Sequence, residues 1–74
     1  MNNKYPIGTR LMAKEGPDTG VVISAEELLE FNPKLILPAD ICVKWFDERG
    51  FYAFATTFDE WWLDDNCTIL SGVI

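Results

Sequence analysis

The chain has 74 residues, 49% of them hydrophobic and 14% aromatic, and its twelve acidic and six basic side chains give a net charge of −6. A chain this short holds one domain, residues 1–74, and buries only roughly 60% of the surface its unfolded form exposes. The aromatic content excludes a disordered chain, no apolar run approaches the ~20 residues of a membrane span, and the acidity works against binding a phosphate backbone.

The charge is unevenly spread. Residues 1–24 carry three bases against two acids, whereas residues 25–74 carry ten acids against three bases. The acidic part suits a basic partner or keeps an aromatic-rich domain soluble. The opening Met1-Asn2-Asn3-Lys4-Tyr5-Pro6 lacks the apolar stretch of a signal peptide, so a cytoplasmic protein without membrane attachment is expected. Cys42 and Cys67 have no CxxC spacing and the chain has no histidine, which argues against a zinc or redox site; two small, half-buried strand residues are expected, with a single disulfide as the alternative if both strands lie side by side.

In chain order, residues 7–14 alternate loosely between apolar and polar, as a half-buried strand does. Glu15-Gly16-Pro17-Asp18-Thr19-Gly20 reads as a turn, because Pro17 presets φ and Asp18 bonds its own backbone. Val21-Val22-Ile23 completes a hairpin, with Gly20 placed where the chain bends sharply or another backbone comes close. Ser24-Ala25-Glu26-Glu27 fits a capping box, predicting a helix of about two turns through Leu28, Leu29 and Phe31 that Asn32-Pro33 stops. Leu35, Ile36 and Leu37 follow in a connecting segment edged by Pro33 and Pro38 and are expected to tuck against the core.

Residues 40–46 form the clearest strand, with Ile41, Val43 and Trp45 on one face and Cys42, Lys44 and Phe46 on the other. Asp47-Glu48-Arg49-Gly50 is a hairpin loop in which Gly50 supplies positive φ. The return strand over residues 51–57 is expected to place Phe51, Ala53 and Ala55 on one face and Tyr52, Phe54 and Thr56 on the other. Thr57-Phe58-Asp59-Glu60 reads as a second capping box opening a short turn through Trp61, Trp62 and Leu63, broken by Asp64-Asp65-Asn66. Cys67-Thr68-Ile69-Leu70 makes a last strand able to close the barrel against the first. The terminal Ser71-Gly72-Val73-Ile74 either continues it or frays.

The hairpin Lys14-Glu15-Gly16-Pro17-Asp18-Thr19-Gly20-Val21-Val22 resembles the turn of KOW-type and Tudor-type domains, members of the SH3-like small-barrel superfold. Val43-Lys44-Trp45-Phe46-Asp47 with Gly50, and Trp61-Trp62-Leu63 ahead of the closing strand, resemble the same architecture. The resemblance implies a mostly β fold: a small five-stranded SH3-like barrel, here with a short helical insert between the second and third strands. It also looks like small acidic accessory proteins of bacteria and phages. Two departures stand out. KOW-type domains that bind RNA are basic around this hairpin, whereas Lys14 here is outnumbered by Glu15 and Asp18, and residues 24–38 lengthen the connection beyond a minimal barrel.

Eight of the ten aromatic residues fall between Trp45 and Trp62. A thin barrel cannot bury both faces of such a segment, and exposed rings mark binding sites. Trp45, Tyr52, Phe54, Trp61 and Trp62, with Asp47, Asp59, Glu60, Asp64 and Asp65, are therefore the candidate partner-binding set, directed at a basic patch on another protein. Tudor-type domains use such rings with a carboxylate to hold methylated Lys or Arg. Lys4, Arg10, Lys14 and Lys44 form the alternative, a nucleic-acid-binding set of the KOW type. No D-x-D-x-D-G spacing supports calcium, and paired carboxylates without a cleft do not support acid–base catalysis. The expectation is thus a non-catalytic interaction module with no metal or cofactor, a regulator or inhibitor by its class, working as a monomer or a homodimer.

Overall fold

A computed structural model describes residues 4–34 and 41–71. The expectations for Leu35, Ile36 and Leu37 and for the last three residues lie outside the described residues. Five strands and two helices run in the order β1 (Arg10–Ala13), β2 (Thr19–Ile23), α1 (Ala25–Phe31), β3 (Ile41–Phe46), β4 (Tyr52–Phe58), α2 (Glu60–Asn66) and β5 (Cys67–Ser71). The strands form one antiparallel sheet in the order β4-β3-β2-β1-β5. The last strand pairs with the first, Leu11 opposite Ile69 and Ala13 opposite Cys67. The sheet is open, with β4 and β5 as its two edges, and so does not close into the expected barrel: among the described residues, the last strand pairs with the first but not with β4.

The first strand is shorter than its sequence pattern. Residues 7–9 turn instead, with Gly8 at φ 98° and the Thr9 amide donating to the Pro6 carbonyl at 3.0 Å. They still flank β2, since Gly8 donates to the Val22 carbonyl and Val22 donates to the Thr9 carbonyl. Across the hairpin the Ala13 amide donates to the Asp18 carbonyl, closing the Pro17-Asp18 turn.

Each face of the sheet carries its own cluster. On one, Leu11, Val22, Val43, Trp45 and Cys67 pack with Tyr5 and with Leu63 of α2. On the other, Ile23, Cys42 and Ala55 pack under Leu28 of α1. The alternation expected for β3 is what divides them: odd positions face α2 and even positions face α1. Cys42 and Cys67 are both buried and not disulfide-bonded, and they belong to opposite clusters.

Gly20 lies between Leu11 and Trp45 in the sheet. A Cβ there would stand 3.0 Å from Trp45 Cε3 and 3.0 Å from Val43 Cγ1. The missing side chain is the seat of the Trp45 ring. Gly50 turns the β3–β4 loop at φ 85°, and Asp47 Oδ1 accepts from the Arg49 and Phe51 amides at 2.9 and 3.0 Å.

α1 begins as its sequence indicates. Ser24 caps it, its hydroxyl accepting from the Glu27 amide at 3.1 Å. Glu27 does not close the box; its carboxylate lies 3.9 Å from Lys44 Nζ. The second capping box does not form, because Thr57 remains inside β4 and Asp59 becomes the N-cap without a side-chain bond. Asp64, Asp65 and Asn66 do not break α2 but complete it. Asn66 Nδ2 donates to the Trp62 carbonyl at 2.9 Å, folding its side chain back onto the last turn.

Candidate binding groove

The aromatic segment does not form one surface. Its division starts at an irregularity in the β3–β4 register between Trp45 and Phe46. Trp45 opposes Phe54 and Phe46 opposes Tyr52, so one step on β3 spans two on β4 and Ala53 is the extra residue. A β-bulge of this kind reverses the side-chain alternation. Tyr52 therefore falls on the α1 face, where its ring lies 4.9 Å from Phe31. Phe54, Thr56 and Phe58 fall on the α2 face, opposite Trp45, Val43 and Ile41. The expected grouping of Tyr52 with Phe54 and Thr56 is corrected by this single inserted residue.

On the α2 face, Ala13, Asp18, Trp45, Phe54, Phe58 and Trp62 line an open groove of about 210 Å³. The β1–β2 turn contributes Asp18, the end of β1 contributes Ala13, β4 contributes Phe54 and Phe58, and α2 contributes Trp62. The rings brace one another: Phe58 and Trp62 stack at 4.8 Å and 31°, and Trp45 meets Phe58 edge-on at 6.1 Å and 80°. Trp45 is 5% exposed and Phe54 50%, so the groove runs from a buried floor to an open wall. The buried Trp45 Nε1 has no hydrogen-bond partner, an uncommon state for an interior donor. Asp18 is exposed and, among the described residues, is the one charged residue of the lining.

Of the candidate partner-binding residues, Trp45, Phe54 and Trp62 are thus brought together, and Tyr52 is not. Asp59, Glu60 and Trp61 are exposed at the start of α2, between the groove residues Phe58 and Trp62 in the chain, with Trp61 at 62%. Asp65 is exposed on the same helix. Asp47 is engaged in the hairpin loop.

Asp64 is engaged within the fold. Its carboxylate accepts from the Tyr5 hydroxyl at 2.6 Å and pairs with Lys4 at 2.8 Å, while Lys14 Nζ donates to its backbone carbonyl at 3.4 Å. These bonds hold the Asp64 carboxyl below the usual carboxylate range. Lys4 is raised by the same pair. Burial, then the bond to Asp64, pushes the Tyr5 hydroxyl far above the ordinary tyrosine range. Burial also raises the Cys67 thiol, keeping it protonated at neutral pH.

The alternative basic set is scattered as well. Lys44 is held between rings, 4.4 Å from the Phe31 centroid and 5.4 Å from that of Phe46, with Glu27 beside it. Lys4 and Lys14 serve the Asp64 clasp, and Arg10 is exposed on β1.

Sequence reasoning missed three lining residues. Phe58 stands four positions from Phe54 on one strand, so alternation alone places both on one face. Ala13 and Asp18 reach the groove only through the β1–β2 and β2–β3 pairings, which no local pattern encodes. Among the described residues, no helix is long and apolar enough to cross a membrane. Comparison with protein-family models, with curated proteins and with solved structures finds no match for this chain.

Proposed function

We propose that this domain is a non-catalytic, SH3-like interaction module whose groove takes a basic segment of a partner protein, as a small regulator or inhibitor does. The observation that carries this reading is the ring-lined groove with the exposed Asp18 in its lining, on a chain of net charge −6. The small, mostly β fold with one five-stranded antiparallel sheet is compatible with the SH3-like class, although the sheet is not closed into a barrel.

The chemistry follows from the lining. A Lys or Arg side chain lays its aliphatic stem on Phe54, Phe58 and Trp62 and brings its charge toward Asp18. Ring faces attract a cation by about 0.5–2 kcal/mol, more as water is excluded. Asp59 and Glu60 add long-range attraction, which acts on association rate and selectivity more than on affinity.

Selection of a random peptide library on the immobilised domain tests this. Peptides carrying Lys or Arg are expected to be enriched, and Phe54→Ser or Asp18→Lys to abolish the enrichment. Retention of the same peptides by both variants sinks the groove placement. Binding to RNA or DNA that weakens steeply with salt would instead favour the nucleic-acid reading through the basic set.

A further inference from the structure

The groove accounts for one face of β4 but not for its edge. Exposed sheet edges are normally blunted by charge, proline, shortness or bulges, because their free amides and carbonyls template pairing with another chain. β4 is seven residues long, reads Tyr-Ala-Phe-Ala-Thr-Thr-Phe, and contains neither a charged residue nor a proline. It is the outermost strand, and among the described residues no strand pairs with its outer side. Its bulge lies at the hairpin end, so residues 54–58 pair with β3 without interruption. The opposite edge, β5, is shorter at five residues and carries a register shift against β1.

We infer that β4 is a strand-addition site, and that the partner's basic segment binds by extending the sheet while alternate side chains enter the groove. The inference rests on the interaction reading above and adds the mode of recognition. Main-chain hydrogen bonds to an edge supply affinity, and pockets for every second side chain supply selectivity. Phe54, Thr56 and Phe58 alternate on the groove face, so a strand beside β4 presents every second residue to Phe54 and Phe58. Charge selects the occupant. β4 runs directly into the exposed Asp59 and Glu60, and a second copy of this chain would bring another −6 to the same edge. An extended segment with Lys or Arg at alternate positions fits both the spacing and the sign.

The test uses the whole protein and an acetylated peptide alternating Thr and Lys, matched in length to β4. Its comparison is the same peptide N-methylated at the Thr positions, which keeps every charge and side chain but removes backbone donors. Binding is read by tryptophan fluorescence and by hydrogen exchange of the β4 amides. The unmodified peptide is expected to protect β4 amides and to bind at least about tenfold more tightly than its methylated form, the worth of two or so backbone hydrogen bonds. Equal affinities overturn strand addition and leave the groove reading standing. Binding by neither peptide counts against both. Sedimentation of the protein alone supplies the last arm: a dimer whose β4 amides are already protected makes a second copy the occupant and overturns the inference.

Discussion

The two helices are the same length and are held in different ways. α1 and α2 each span seven residues, follow an N-cap of extended backbone, and bury one leucine completely, Leu28 or Leu63. α1 is fastened at its own start, by a hydroxyl three residues from the amide it caps. α2 has no side-chain cap and is fastened from 59 residues away, by Tyr5 donating to Asp64. The Lys14 amide, donating to the Asn66 carbonyl at 2.9 Å, fastens its end to the hairpin. A seven-residue helix has little stability of its own. Both helices lean on the packed chain, and α1 adds a local cap that α2 lacks.

The largest test of that contrast removes the leucines. Leu28→Ala and Leu63→Ala should each cost about 2–5 kcal/mol in urea denaturation, with the greater loss at Leu63 because its cluster is larger. A Leu63→Ala loss under about 1 kcal/mol, below the usual range for such a truncation, would mean that the clasp rather than the core holds α2. Gly20→Ala comes next. Its methyl group meets the Trp45 ring and Val43 at contact too short to keep, and overpacking of this kind costs about 1–3 kcal/mol. The Trp45 ring is one of the two side chains at 3.0 Å that would have to give, so its fluorescence should change as well; an unchanged spectrum argues against the Gly20 seat.

Smaller changes separate the two fastenings. Ser24→Ala should cost about 1 kcal/mol and speed hydrogen exchange in the first turn of α1 while sparing α2. Tyr5→Phe should cost about 1 kcal/mol with the reverse pattern. Exchange that accelerates equally in both helices for either variant would show that they open as one unit. The smallest effect is on pH. Asp64 has a lowered folded-state pKa, so its contribution is present above the ordinary carboxylate pKa of ~4 and is lost as pH falls through its folded value. The melting-temperature gap between wild type and Asp64→Asn should accordingly be open at neutral pH and close in acid. Tyr5, raised when folded, contributes below the ordinary tyrosine pKa of ~10, and that contribution fades at higher pH.

The same contrast explains what was legible in the sequence. Ser24, Asn32-Pro33, the Pro17-Asp18 turn, Gly50 and the alternation of β3 are local signals, and each appears in the fold where the chain indicated. The closing strand also pairs with the first, as its position suggested. Three features were hidden. The helical run through Asp64, Asp65 and Asn66 rests on contacts from Tyr5, Lys4 and Lys14, so three residues that read locally as a break are held as helix. The bulge at Ala53 leaves no mark in an aromatic strand, yet it decides which face each ring occupies. Asp18 joins the groove only once the sheet has formed. For the candidate site, the sequence identified the aromatic segment but not its division between two faces.

The burial of one cysteine on each side of the sheet gives the molecule two clocks. Cys42 is shielded by the α1 layer and Cys67 by the α2 layer, and a thiol reagent reaches either one only when its cover lifts. Alkylation followed residue by residue therefore times the opening of the two layers separately, in the unlabelled wild-type chain. Equal rates would mark one cooperative unit. Unequal rates would rank the locally fastened layer against the one fastened from a distance.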